Sequence, residues 1–220
     1  MVSCAHTAVF AFRGLGLVLA LAASTALSFG CGRQSSREER YASGALKSRG
    51  SVESDRRNGE ARVGTWTSWY ENGQLQEQGQ YEGGKRVGPW RFWRLDGKKA
   101  EEGIYVGGEQ DGDWTYWHSN GQKSLDGHFS KGKRVGAWTF WHPNGQKQEE
   151  GHYSDGQRVD HWTYWDPSGH KASEGNFVRG RRSGAWTFWY PNGQKSFEGA
   201  FDKGEKIGTW THWREDGIRE

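Results

Sequence analysis

Eight histidines, 27 carboxylates and two cysteines are the groups in this 220-residue chain that could do acid–base, nucleophilic or metal chemistry. Such chemistry needs unlike groups converging at one place. Here the polar groups recur instead at a spacing of 24. Glu102, Asp126, Glu150, Glu174 and Glu198 form one column, and Lys99, Lys123, Lys147, Lys171 and Lys195 another. His118 and His142 share a column, as do His128 and His152. A group repeated in every copy is expected to serve the structure, through sheet hydrogen bonds or cross-strand charge pairs. With two strands per copy, same-column imidazoles stand ~9.6 Å apart, whereas zinc holds each imidazole at ~2 Å. Cys4 and Cys31 both lie near the N-terminus, so the body has no thiol. There is no Walker glycine loop, GxSxG elbow or HExxH run. The reading is a non-enzyme with no catalytic residue, no metal site and no cofactor.

The repeat that produces these columns runs unbroken from Gly64. Trp66, Trp90, Trp114, Trp138, Trp162, Trp186 and Trp210 form one tryptophan column. Three residues on, Trp69, Trp93, Trp117, Trp141, Trp165, Trp189 and Trp213 form the second, and together they hold all 14 tryptophans. Four glycine columns begin at Gly64, Gly73, Gly79 and Gly84, and an aromatic follows the Gly79 column two residues later, as in Tyr81, Tyr105 and Phe129. A fixed period of this length marks a repeat architecture.

Each copy reads as two short strands and two turns. Gly136-Ala-Trp-Thr-Phe-Trp-His142 is aromatic and β-favouring. Pro143-Asn144-Gly145 suits a hairpin turn closed by a left-handed glycine, and Asp155-Gly156 turns the chain again after a strand over 147–154. About twelve residues per strand and turn leave no room for a helix. The expected fold is all-β: an elongated, single-layer antiparallel sheet of stacked 24-residue hairpins, on the order of 60 Å long. It comprises six full repeats and one truncated repeat, whose edge, Thr209 to Arg214, is expected to be unpaired. Tryptophans three apart on a strand point to opposite faces, so each face carries an aromatic row. Most of this aromatic content is expected to hold the array together. The row Trp69, Trp93, Trp117, Trp141, Trp165, Trp189 and Trp213 is the candidate partner-binding surface.

Residues 1–30 differ in kind. Arg13 precedes a 14-residue apolar run, Gly14 to Leu27, too short to span a bilayer but suited to a signal peptide. Gly30 directly before Cys31 resembles a bacterial lipobox, which implies lipid attachment at Cys31; ordinary cleavage to a secreted protein is the alternative. By resemblance to proteobacterial sorting, Gly32 after the cysteine implies the outer membrane. Residues 31–63 are polar and charged without an apolar period, and are expected to be a flexible lipid-anchored linker. Residues 64–220 are the repeat domain. Mean hydropathy is −1.00, which excludes a large aliphatic core. The net charge of +3 falls on 32–62, while 63–220 is close to neutral, which argues against nucleic acid as ligand.

Gly79-Gln-Tyr81-Glu-Gly-Gly84-Lys-Arg-Val-Gly88-Pro-Trp90 resembles a MORN repeat. With Trp90-Arg-Phe-Trp93 and the turn of Trp189-Tyr-Pro-Asn-Gly193, it is similar to the bacterial proteins described as toxin-antitoxin system YwqK family antitoxin. That resemblance implies a twisted sheet of stacked hairpins and a scaffold reused for many partners. The expected function is a cell-envelope scaffold that binds a protein partner. The alternatives are a glycan or peptidoglycan binder using its aromatic rows, and an immunity protein against a secreted toxin.

Overall fold

A computed structural model describes residues 33–55 and 59–220. Residues 1–30, where a signal peptide is expected, and Cys31 lie outside the described residues. Among those described, none is helical and sixteen strands form one antiparallel sheet, as the turn spacing requires. In chain order they are β1 Arg33–Arg40, β2 Leu46–Asp55, β3 Gly59–Trp69, β4 Leu75–Glu82, β5 Lys85–Trp93, β6 Lys99–Val106, β7 Glu109–Gln110 and β8 Gly112–Trp117. Then follow β9 Lys123–Ser130, β10 Lys133–Trp141, β11 Lys147–Ser154, β12 Gln157–Trp165, β13 Lys171–Val178, β14 Arg181–Trp189, β15 Lys195–Asp202 and β16 Glu205–His212. Each strand pairs with its sequence neighbours, so the topology is a plain meander; the short β7 pairs only with β6, beside β8.

Two turn types alternate, and each follows from its residues. In the Asn-Gly turns, Gly145 is left-handed at φ 85° and donates its N–H to the His142 carbonyl at 2.9 Å. In the two-residue turns both positions are left-handed, as at Asp155 (φ 51°) and Gly156 (φ 80°), the geometry that matches strand twist. The Gly64 column supplies a third feature. Its residues sit at positive φ inside strands, where the register slips between Val135 and Trp138. Each is a β-bulge.

The sheet begins earlier than the sequence reading placed it. Residues 33–55 and 59–62, read there as flexible linker, are β1, β2 and the start of β3. They are an eighth copy, hidden by a change of spacing. Tyr41 donates to the Trp69 carbonyl at 2.9 Å just as Tyr70 donates to Trp93 at 2.8 Å, over separations of 28 and 23 residues. The Trp66 indole lies over Gly50 as Trp90 lies over Gly79. A hairpin five residues longer between β2 and β3 breaks the 24-residue register, and Arg37 and Arg40 stand where the other copies have tryptophan. At the other end, β16 is not wholly unpaired: Trp213 bridges Arg219, and the Glu220 N–H reaches the His212 carbonyl at 3.0 Å.

Candidate binding faces

One face carries the buried row. Trp66, Trp90, Trp114, Trp138, Trp162 and Trp186 are each 2% exposed or less. An open sheet has no second layer, so the burial is achieved within the row itself. Each indole lies flat on a glycine of the preceding strand. A Cβ placed on Gly151 would stand 2.3 Å from Cδ2 of Trp162, so only glycine fits. Among the described residues, a guanidinium lies above each ring of this row except Trp114: Arg158 is 4.2 Å from the Trp162 centroid, Arg134 4.6 Å from Trp138, and Arg182 4.5 Å from Trp186. Between successive indoles stands the aromatic of the Gly79-column motif. Tyr153 meets Trp138 at 5.9 Å and Trp162 at 5.1 Å, both edge-to-face. The indole N–H is satisfied by backbone, as Trp162 Nε1 donates to His152 at 3.2 Å. The sequence showed the glycine and aromatic columns but not that one is the bed of the tryptophan and the other its spacer.

The opposite face carries the second row. Strand alternation puts Trp69, Trp93, Trp117, Trp141, Trp165, Trp189 and Trp213 on the Thr67 side, and all seven are half-buried. From Trp117 onward each ring is capped by the lysine of the preceding copy. Lys99 is 4.8 Å from the Trp117 centroid, Lys123 5.0 Å from Trp141, Lys147 5.6 Å from Trp165, Lys171 5.3 Å from Trp189 and Lys195 5.5 Å from Trp213. The same lysines pair with the acidic column three residues on, at 2.7–2.8 Å from Lys99–Glu102 to Lys195–Glu198. The two charged columns are therefore one structural ladder, and their groups are half-exposed. The face presents a periodic order of indole, ammonium and carboxylate.

The rim of Asn-Gly turns is a third ladder, and it accounts for two histidines. His118 Nε2 donates to the Trp141 carbonyl at 2.8 Å and His142 Nε2 to that of Trp165 at 3.0 Å. Asn144 Nδ2 donates to Pro167 at 2.6 Å while its Oδ1 accepts from the Gln146 N–H at 3.1 Å. His128 pairs with Asp113 at 2.9 Å on the Thr67 side. Among the described residues, no group of three or more His, Cys, Asp or Glu is arranged to hold a metal ion.

Two carboxylates on the guanidinium side are raised by burial. Burial pushes Glu101 above the usual carboxylate range, against the opposing pull of Arg86 and Arg94. Glu149 is likewise raised by burial, although Arg158 binds it at 2.8 Å. Burial also drives the hydroxyls of Tyr116 and Tyr164 up to about 12.

Fold and faces together define a β repeat module with an aromatic row on each side of one sheet. The family description "MORN repeat variant" matches three of the hairpins, at residues 62–82, 134–155 and 182–203. No curated protein matches the chain.

Proposed function

We propose that the chain is a non-catalytic scaffold that holds a protein partner at the bacterial cell envelope, anchored through a lipid on Cys31. The observation that carries this reading is the second tryptophan row, half-buried, periodic and interleaved with both signs of charge. Tryptophan dominates interface hot spots, and a mixed-charge surround sets register and partner choice. Glycan binding by the same row is the competing reading. It needs a flat ring face for the sugar to stack on, and a lysine ammonium already occupies one face of each ring from Trp117 to Trp213, which favours protein. The likeness to YwqK-type antitoxins together with an export segment makes a secreted toxin one candidate for that protein. The test uses the full chain as bait against envelope lysate and purified peptidoglycan. A protein retained by wild type and lost when Trp141, Trp165 and Trp189 are replaced supports the proposal. Saturable peptidoglycan binding with no protein retained would replace it by the glycan reading.

A further inference from the structure

The guanidinium ladder has one missing rung. Arg62, Arg86, Arg134, Arg158 and Arg182, and then Lys206, stand 4.1–4.6 Å over Trp66, Trp90, Trp138, Trp162, Trp186 and Trp210. The position over Trp114 is Gln110, and among the described residues no cation stands over that indole. The cradle that would hold the cation is nevertheless complete. Two copies further on, Arg158 is gripped by Glu149 at 2.8 Å, by the Tyr164 hydroxyl at 2.6 Å and by the Tyr153 hydroxyl at 3.3 Å. Forty-eight residues earlier the same positions are Glu101, Tyr116 and Tyr105. Even the neighbouring contact repeats, since Arg86 approaches the Tyr105 hydroxyl at 3.5 Å as Arg134 approaches that of Tyr153 at 3.4 Å.

Gln110 does not replace the lost cation. Its Nε2 donates to the Tyr116 hydroxyl at 2.9 Å, and among the described residues Glu101 has no ion pair. The result is a half-buried carboxylate between two tyrosines, in a setting that elsewhere in the same sheet closes around a guanidinium. The strand is locally irregular here: Asp111 separates β7 from β8, although its N–H still donates to the Ile104 carbonyl at 2.9 Å, so the backbone around the cradle stays paired. A carboxylate with a flanking hydroxyl is matched in charge and geometry by a planar, multi-donor cation, which arginine alone among side chains supplies.

We infer that Glu101, Tyr105 and Tyr116 form a receptor for an arginine side chain of a protein partner, which enters as the Gln110 amide rotates away and completes the ladder in trans. The site lies on the face opposite the second tryptophan row, so its test does not depend on that row binding anything.

The test titrates the full-length protein with the peptide Ac-Gly-Arg-Gly-NH2 and with its citrulline analogue, which has nearly the same shape without the charge. The readout is the indole N–H resonance of Trp114, assigned through Trp114→Phe. The arginine peptide should shift that resonance and bind at least about tenfold tighter than the citrulline peptide, the scale of a hydrogen bond to a charged group. Gln110→Arg, which fills the cradle from within, and Glu101→Gln should each weaken arginine binding at least about tenfold. Tyr116→Phe removes only a hydroxyl and should weaken it less. Equal binding of the two peptides, no binding of either, or undiminished binding to Gln110→Arg would each overturn the inference.

Discussion

Replacing Gly151 by alanine adds one methyl group to an exposed-edge-free stretch of sheet, and the fold predicts that it is among the costly substitutions in the chain. The new Cβ would stand 2.3 Å from Cδ2 and Cε2 of Trp162. Carbon atoms in contact rest at about 3.5 Å or more, so the indole must lift by roughly 1 Å. It cannot lift freely, because Arg158 lies 4.2 Å above it and Tyr153 and Phe177 close its edges at 5.1 and 6.0 Å. Lifting also draws Nε1 away from the carbonyls of His152 and Val159, now 3.2 and 3.1 Å away. Overpacking of this kind costs about 1–3 kcal/mol and an orphaned buried donor about 1–3 more. Alanine's advantage over glycine in a strand returns roughly 0.5–1. The expected net loss is about 1–5 kcal/mol, measured by urea unfolding of the full chain. The reasoning makes a sharper demand on the double variant. Trp162→Ala alone should cost about 3–5 kcal/mol, and in that background Gly151→Ala should be neutral or mildly stabilising, since the ring it struck is gone. A cost below about 0.5 kcal/mol for Gly151→Ala, or additive costs in the double variant, would refute the bed-and-ring account.

Three further outcomes follow from the same geometry. Trp165→Ala, on the half-buried row, should cost clearly less than Trp162→Ala, by about 1 kcal/mol or more in the same unfolding assay. Asp160→Gly should stabilise by roughly 0.5–1 kcal/mol, because Asp160 occupies at φ 59° a bulge position that glycine fills at Gly64, Gly88, Gly112, Gly136, Gly184 and Gly208. Glu101→Gln should stabilise the protein at pH 7. Burial raises the folded-state pKa of Glu101 above its unfolded value, so the folded form binds more protons, and stability falls as pH rises through that interval. The gain from Glu101→Gln should therefore shrink below ~pH 4, where the wild-type carboxyl is protonated in both states, and stability curves of the two proteins against pH would show it.

The hairpins were legible because turn residues are local and the period is strict: the second strand of 147–154 and the turn at Asp155-Gly156 stand where the sequence put them. The opposed tryptophan rows were legible for the same reason, since alternation along a strand depends on spacing alone. Residues 33–55 and 59–62 read as linker in the sequence because Arg37, Glu38, Glu39 and Arg40 carry no apolar period and the longer β2–β3 connection shifts Gly50 and Tyr41 out of the 24-residue column. Their place in the sheet comes from a neighbouring strand, which supplies both Trp66 to cover Gly50 and the backbone partners of β2. The arginine ladder went unread for a different cause. The column from Arg86 to Arg182, broken at Gln110, is plain in the sequence, but that it stacks on tryptophan, and that Gln110 therefore leaves Glu101 without its cation, depends on register across strands.

The central claim is that the face bearing the second tryptophan row holds a protein. The most direct measurement places a photo-crosslinking benzoylphenylalanine at Thr139 or Thr187, both on that face, in the full chain within the producing cell. The account predicts a discrete protein adduct from either position and none from Asn120 on the turn rim. Absence of any protein adduct from Thr139 and Thr187 would contradict it.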